Sequence, residues 1–319
     1  MTFTRNVSLR AHSSYKVGGP ALFFAPVRTI PEVRAATNEA RKRRLSIFIL
    51  GGGTNLLIPD EGFEGLVLQP RFMALRRSGT TVRVGAGVSV KKLLEFTARE
   101  GLSGLEWAGG LPGLVGGAIR GNAGAFKGET KDSIVSVTSF DLLSGKVIRR
   151  SRRACRFAYR MSVFKEKEGR EVILEAVLKL RRGEPRAIRA AMREKIAYRF
   201  AKHPMEYPNI GSIFKNVPVA EIPRSRREEL AYNPKLDPFP VIPAARLIGK
   251  AGLTGKKKGG AMVSPKHTNF IVNTGGATER DVAWLMDYVK ATVREKCGVV
   301  LHEEVERLRD KVARLPRLS

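Results

Sequence analysis

In the stretch YPNIGSIFKNVP, Ser212 stands directly behind Gly211, and Lys215 and Asn216 follow within four residues. A hydroxyl, a backbone open to close approach and a cation so near one another are the parts of a loop that handles an anion or moves a proton. The same residues would also make an ordinary turn into a strand. Two glycine-rich segments lie upstream. Gly51-Gly52-Gly53-Thr54-Asn55 follows the apolar run IFIL. Its glycines let successive amides face one concavity and hold an anion, with Thr54 and Asn55 adding donors. The second segment, AGGLPGLVGGAIRGNAGAF, carries Gly110, Pro112, Gly113, Gly116, Gly117, Asn122, Ala123 and Gly124. Pro112 suits the first turn of a short helix. Gly116 and Gly117 inside that helix each cost about 1 kcal/mol relative to alanine. That cost is tolerable where a flat ligand or another backbone comes close; tight packing of the loop on a strand is the alternative. Neither segment is a GxGxxG fingerprint in strand–helix context, and GxxxxGK[ST] is absent. Two separate glycine loops suit an elongated cofactor with a central diphosphate, and FAD is such a molecule.

Other chemistries find less support. The four histidines, His12, His203, His267 and His302, show no paired metal-ligand spacing. Cys155 and Cys297 are too few for a disulfide framework and read as small core residues. The opening MTFTRNVSLRAHSS has no apolar signal core and no apolar run is long enough to span a bilayer, so the expected compartment is the cytoplasm. The chain of 319 residues carries a formal charge of +28. That charge attracts polyanions, including nucleotide diphosphates. It sits in blocks at 41–44, 149–156, 256–258 and the tail from Arg307, which aromatic residues do not interleave. Base stacking is therefore not expected, and neither is a nucleic-acid partner.

The elements that must position these residues are mixed. Strands are expected at 21–27, 46–50, 66–69, 82–85, 134–141, 147–149 and 172–180, with helices over 31–44 and 89–101. A helix over 184–202 would place Ile188, Met192, Ile196 and Phe200 on one stripe. Six prolines and a charged run make 217–243 a surface excursion. Beyond it, 244–251 reads as a helix and 270–272 as a strand. Thr278 and Asp281 form a capping box ahead of a helix that Gly298 ends, and 299–301 reads as a final strand.

Seven ordered segments carry a resemblance: HSSYKVGGPA, ILGGGTNLLIPD, GLEWAGGLPGLVGGAIRGNAGAF, FAYRMSVFK, YPNIGSIFKNVP, GKAGLTGKKKGGAMVSPKHTNFIVN and LHEEV. Together they resemble the UDP-N-acetylenolpyruvoylglucosamine reductase family over nearly the whole chain. The resemblance implies an α+β protein. It has a two-part FAD-binding region of the vanillyl-alcohol-oxidase type over 1–183, divided near residue 70. A smaller α/β substrate-binding domain over 184–306, with an insertion at 217–243, and a basic tail over 307–319 would follow. FAD and NADPH are the implied cofactors, and UDP-N-acetylglucosamine enolpyruvate is the implied substrate. Ser212 becomes the proton donor, Arg160 the carboxylate-binding guanidinium, and Glu304 the carboxyl group beside the developing charge. Glu303 adjoins Glu304, and the role falls on whichever of the two faces the site. Tyr159, Lys215 and Asn216 are implied on the substrate side; Gly51 to Asn55 and the second glycine segment are implied on the cofactor. The segment 217–245 is longer than the family's usual link. No counterpart is visible for the tyrosine-bearing loop that one form of the family carries. An FAD-linked oxidase on the same fold would keep the glycine loops without needing the Gly211-Ser212, Lys215 and Glu304 set. A basic nucleic-acid-binding protein would need neither.

Overall fold

The computed structural model describes residues 3–231, 233–236, 239–308 and 312–313. The first sheet runs Thr4–Ser8, Pro20–Val27, Phe63–Pro70, Ile47–Ile49. Its first pair is antiparallel and the other two are parallel. Helix α1 (Ile30–Lys42) supplies the crossover that parallel strands require. Thr29 caps it by accepting the Glu32 N–H, Pro31 fits its first turn, and Val33, Ala36 and Ala40 bury against Phe23, Val27 and Ile47.

The second sheet is antiparallel throughout, in the order Val147–Ser151, Ile134–Asp141, Glu171–Lys179, Thr81–Gly85, Leu75–Ser78. Helix α2 (Val90–Arg99), capped by Ser89, buries Val90, Leu93, Leu94 and Ala98 in a core shared with Val82, Val84 and Leu178. Each buried leucine there contributes about 1.5–3 kcal/mol. Helix α3 (Val115–Arg120) begins three residues after Pro112, not at it. Gly113 holds φ 101° and Leu114 is extended, so the chain becomes helical only beyond them. Gly116 and Gly117 do lie inside the helix. The short helix α4 (Val163–Glu166) contributes Val163 and Phe164 to the same core.

Helix α5 (Pro185–Lys202) starts on a Glu184 cap and a proline at its first turn. Its buried stripe differs from the expected one. Ile188 and Arg199 are the buried residues, Met192 packs on the second-sheet core, and Phe200 is 62% exposed. Residues 188, 192 and 199 share one face at helical spacing, and residue 200 is rotated away from it.

The 217–243 excursion is partly core. Val217, Ile222, Leu230, Val241 and Ile242 are buried around the short helix α6 (Arg227–Leu230), although Leu236 is exposed. Its prolines separate apolar anchors instead of keeping the chain in solvent. Helices α7 (Ala244–Lys250) and α8 (Glu279–Cys297) then pack with a three-stranded sheet, Lys257–Lys258, Ala261–Val263, Ile271–Asn273. The Thr278–Asp281 capping box and Gly298 at φ 67° delimit α8. Its Val282, Leu285, Met286 and Val289 join Ile213, Phe214 and Leu247 in one core. Residues 299–301 are not a strand. The last strand is Glu306–Arg307, which pairs in parallel with Leu56–Leu57. Glu306–Arg307 is thus stitched to the strand that directly follows the first glycine loop. Residues 309–311 and 314–319 of the expected tail lie outside the described residues. No helix among the described residues is long and apolar enough to cross a membrane.

Candidate active site

Both glycine loops and the serine loop open onto one cavity of about 350 Å³. Gly51 to Asn55 line it, as do Pro112, Gly113, Gly116, Gly117, Ala123 and Gly124. The two glycine loops touch: a methyl group on Gly52 would stand 3.0 Å from Gly113 Cα, and one on Gly113 would stand 2.7 Å from Thr54 Oγ1. Gly113 also requires glycine for its left-handed backbone. Methyl groups at Gly51 or Gly117 would instead project into open space, so the cavity is walled there by bare backbone.

Ser212 reaches this cavity because three backbone contacts fix its loop. Gly211 adopts φ 84°, and its N–H donates to Asn209 Oδ1 at 3.0 Å. The Ile213 N–H donates to the Asn269 carbonyl at 2.8 Å, and the Ile213 carbonyl accepts the Glu304 N–H at 2.8 Å. Asn269, itself buried, imitates a neighbouring strand: its Oδ1 accepts from Phe214 N–H at 3.0 Å and its Nδ2 donates to the Phe214 carbonyl at 2.8 Å. The serine loop and the Glu304 segment therefore move as one.

Arg160 sits at the tip of a two-residue turn closed by reciprocal 3.1 Å bonds between Ala158 and Met161. Its φ of 55° is uncommon for a side-chain-bearing residue and aims it from that tip. Arg160 Nε donates to Glu304 Oε1 at 2.6 Å, and Nη2 donates to the Gly124 carbonyl at 3.0 Å. Nη1 has no acceptor among the described residues. Burial opposes the guanidinium charge, but Glu304, Tyr159 and Glu129 together more than offset it and hold the Arg160 pKa above its usual value.

The resemblance puts the carboxyl role on Glu304, with a one-residue shift in register the alternative that would move it to Glu303, and the two side chains face different partners. Glu304 lines the cavity, whereas Glu303 pairs with Arg307 at 2.9 Å and Lys290 at 3.3 Å. Two residues on, Glu306 faces the cavity too, as extended-chain periodicity dictates. Arg120 Nη1 donates to both Glu306 oxygens at 2.5 and 2.6 Å, and Lys165 Nζ lies 3.1 Å from Oε1. Burial raises the Glu306 pKa, but two cations more than offset it and the net shift is downward. Lys165 is also shifted downward, chiefly by burial, although it shares the same ion pair. The two directions are compatible, because one carboxylate serves two cations and Arg120 and Lys215 both repel the lysine charge.

Five expected residues are not part of the cavity wall. Asn122 is fully buried with both ends of its amide engaged: Nδ2 donates to the Ala158 carbonyl at 2.9 Å and Oδ1 accepts the Lys131 N–H at 3.0 Å. It thereby anchors the Arg160 turn. Tyr159 stacks edge-on against Phe239 of the 217–243 excursion at 5.3 Å, under the Arg160 guanidinium. Burial, followed by Glu304, raises the pKa of its phenol, while Arg160 and the Asn216 backbone oppose the rise. Asn216 Oδ1 accepts the Ala244 N–H at the start of α7, and Lys215 N–H donates to the His302 carbonyl at 2.8 Å. Gly110 is exposed and lies off the cavity wall, against the stem of Arg199.

Arg120, Lys165, Glu306 and Arg199 line the cavity without having been expected there. The signal for Glu306 was its spacing from Glu304. The signal for Arg199 was its place on the buried stripe of α5.

Comparison with known proteins agrees with this geometry. Residues 203–308 match the family model described as UDP-N-acetylenolpyruvoylglucosamine reductase, C-terminal domain, and residues 20–151 match the FAD binding domain. The chain is 38% identical over 300 residues to UDP-N-acetylenolpyruvoylglucosamine reductase 2 of Symbiobacterium thermophilum, covering 93% of this chain and 89% of that protein. It is 37% identical over 315 residues to the reductase of Lachnoclostridium phytofermentans, covering 97% and 94%. The solved structure of the reductase from Thermus caldophilus superposes with a TM-score of 0.76 at 31% identity, over 96% of this chain and 99% of that one.

Proposed function

The chain belongs to the UDP-N-acetylenolpyruvoylglucosamine reductase family, and from that premise we propose how its own residues carry the reaction. The protein is an FAD-containing, NADPH-dependent oxidoreductase of peptidoglycan precursor synthesis, reducing the enolpyruvyl double bond of its UDP-sugar substrate to give UDP-N-acetylmuramate. Its α+β fold joins an FAD-binding region to the reductase C-terminal domain.

FAD suits the cavity on structural grounds. Two interlocked glycine loops leave bare backbone at Gly51 and Gly117, and amides there can approach a diphosphate or a flat ring. Gly51 to Asn55, Pro112, Gly113, Gly116, Gly117, Ala123 and Gly124 would hold it. Bound there, FAD would supply the hydride chemistry that links NADPH to the enolpyruvyl double bond.

Negative charge then collects on the substrate carbon that bears the carboxylate. Arg160 meets that charge with a preorganised guanidinium. Glu304 fixes the guanidinium through Nε and stands as the carboxyl partner beside the developing charge. Ser212 Oγ donates a proton to the substrate carbon. A serine hydroxyl is a weak acid, so the donation requires a strongly basic carbon and a fixed hydroxyl. Gly211 and the Asn269 contacts supply the fixing. Tyr159, Lys215 and Asn216 support the substrate side behind Arg160. The same reading places the enzyme in the cytoplasm, without a nucleic-acid partner.

The observation that carries this assignment is that Ser212 and the Arg160–Glu304 pair share one cavity with both glycine loops. Absorption spectroscopy tests it. The purified protein should be yellow, bleach anaerobically with NADPH, and regain colour on adding the enolpyruvyl UDP-sugar. A colourless chain that takes up no FAD contradicts the reading, as does a bleached flavin that the substrate leaves reduced.

A further inference from the structure

Among the described residues, the cavity-wall cations Arg120, Arg160 and Lys165 each face a carboxylate. Arg199, on the same wall, faces none. Its exposure is 9%, so nine-tenths of the residue is out of water. Nε donates to the Gly109 carbonyl at 2.9 Å, whereas Nη2 is buried without an acceptor. Phe126 lies beneath the guanidinium at 5.4 Å and carries Lys195 at 5.2 Å, and Gly110 lies against the stem of Arg199. Burial lowers the pKa of Arg199, and no carboxylate offsets it. An arginine does not escape by losing its proton. A buried, unpaired guanidinium on a cavity wall therefore lacks an anion that the described residues do not provide.

We propose that Arg199 is an anion-receiving residue of the flavin site, its charge paired by negative charge that the bound cofactor carries. The inference rests on the cavity being the FAD site. Two parts of FAD carry such charge: the diphosphate always, and the ring system after two-electron reduction. Both require a fixed cation with a free donor, and Nη2 is such a donor. Its neighbours argue against a purely structural role. A guanidinium retained only for packing would need no second nitrogen held dry and unbonded beside a cavity.

The test uses full-length Arg199→Met and Arg199→Lys proteins, stripped of flavin and reconstituted with FAD. Three quantities are read: the dissociation constant of oxidised FAD, the midpoint potential of the bound flavin, and the melting temperature of the apoprotein. Apo Arg199→Met should melt no lower than apo wild type, because a buried unpaired charge has gone. FAD should then stabilise it less. If the diphosphate is the partner, the oxidised-FAD dissociation constant rises about ten-fold or more, with partial recovery in Arg199→Lys. If the reduced ring is the partner, oxidised FAD binds nearly as before. The midpoint potential then falls by about 30 mV for each ten-fold loss of preference for the reduced form. Either pattern supports the proposal. Unchanged FAD affinity and potential overturn it, even if the KM for NADPH or the UDP-sugar rises. A lower-melting apo Arg199→Met with undiminished stabilisation by FAD overturns it as well and leaves Arg199 a structural role. Failure of the wild-type chain to take up FAD at all would be a different result, removing the FAD site itself.

Discussion

Arg160 shows how much of this site depends on the partners of single atoms. Its Nε is engaged by Glu304 and its Nη2 by the Gly124 carbonyl, so the guanidinium is aimed before any substrate arrives. Replacing it tests that aim. Arg160→Met should lower kcat/KM for the enolpyruvyl UDP-sugar by about 10²-fold or more, the scale of losing one charge-stabilising donor. The flavin spectrum should stay normal. Steady-state kinetics checks this, and wild-type kcat/KM would remove Arg160 from the reaction. Glu303 and Glu304 make the complementary point. Adjacent in sequence, they face opposite sides of an extended segment, one toward Arg307 and Lys290 and the other toward the cavity.

At the scale of elements, α3 trades stability for access. Gly117 lies within the helix, and a methyl group there would meet nothing in the protein. Gly117→Ala should therefore stabilise the apoprotein by about 1 kcal/mol, the usual gain in a helix interior, while weakening FAD binding. Denaturant melts of the apoprotein and flavin titration check the two halves, and unchanged flavin affinity would place the ligand elsewhere. Much of this element scale was legible beforehand. Both glycine loops, the serine loop and the α8 capping box carry local signals in turn and helix chemistry. The misreadings arose where partners are distant. Residues 299–301 have strand-like composition, yet the strand forms at Glu306–Arg307 because Leu56–Leu57 waits there. The apolar pattern puts Ile188, Met192, Ile196 and Phe200 on one stripe of α5, because an aromatic outranks an arginine in such a pattern. The fold instead buries Arg199, whose worth lies in the cavity it faces. Asn122 looked like a cofactor contact because it sits amid glycines, but its amide secures the Arg160 turn.

The whole molecule carries +28, and that excess reaches the site through His203, a cavity-lining residue. Burial first, then His267, Arg199 and Lys266, push its pKa down to about 4 from 6.5. Between those values the unfolded chain binds the proton that the folded chain refuses. The stabilisation is thus complete above about pH 6.5 and is lost as pH falls toward 4. In His203→Gln apoprotein the loss of stability from pH 7 to pH 5 should be smaller than in wild type. Urea unfolding at both values checks this, and equal losses would contradict it. Charge and glycine backbone together make a basic cavity that also holds the Ser212 hydroxyl, the Arg160 guanidinium and the Glu304 carboxylate. The most direct test of that account is anaerobic stopped-flow spectroscopy of Ser212→Ala, following the two half-reactions separately. Flavin bleaching by NADPH should proceed at the wild-type rate, and reoxidation by the enolpyruvyl UDP-sugar should slow by about 10²–10⁴-fold, the range for loss of a positioned proton donor. Reoxidation at the wild-type rate would contradict the account.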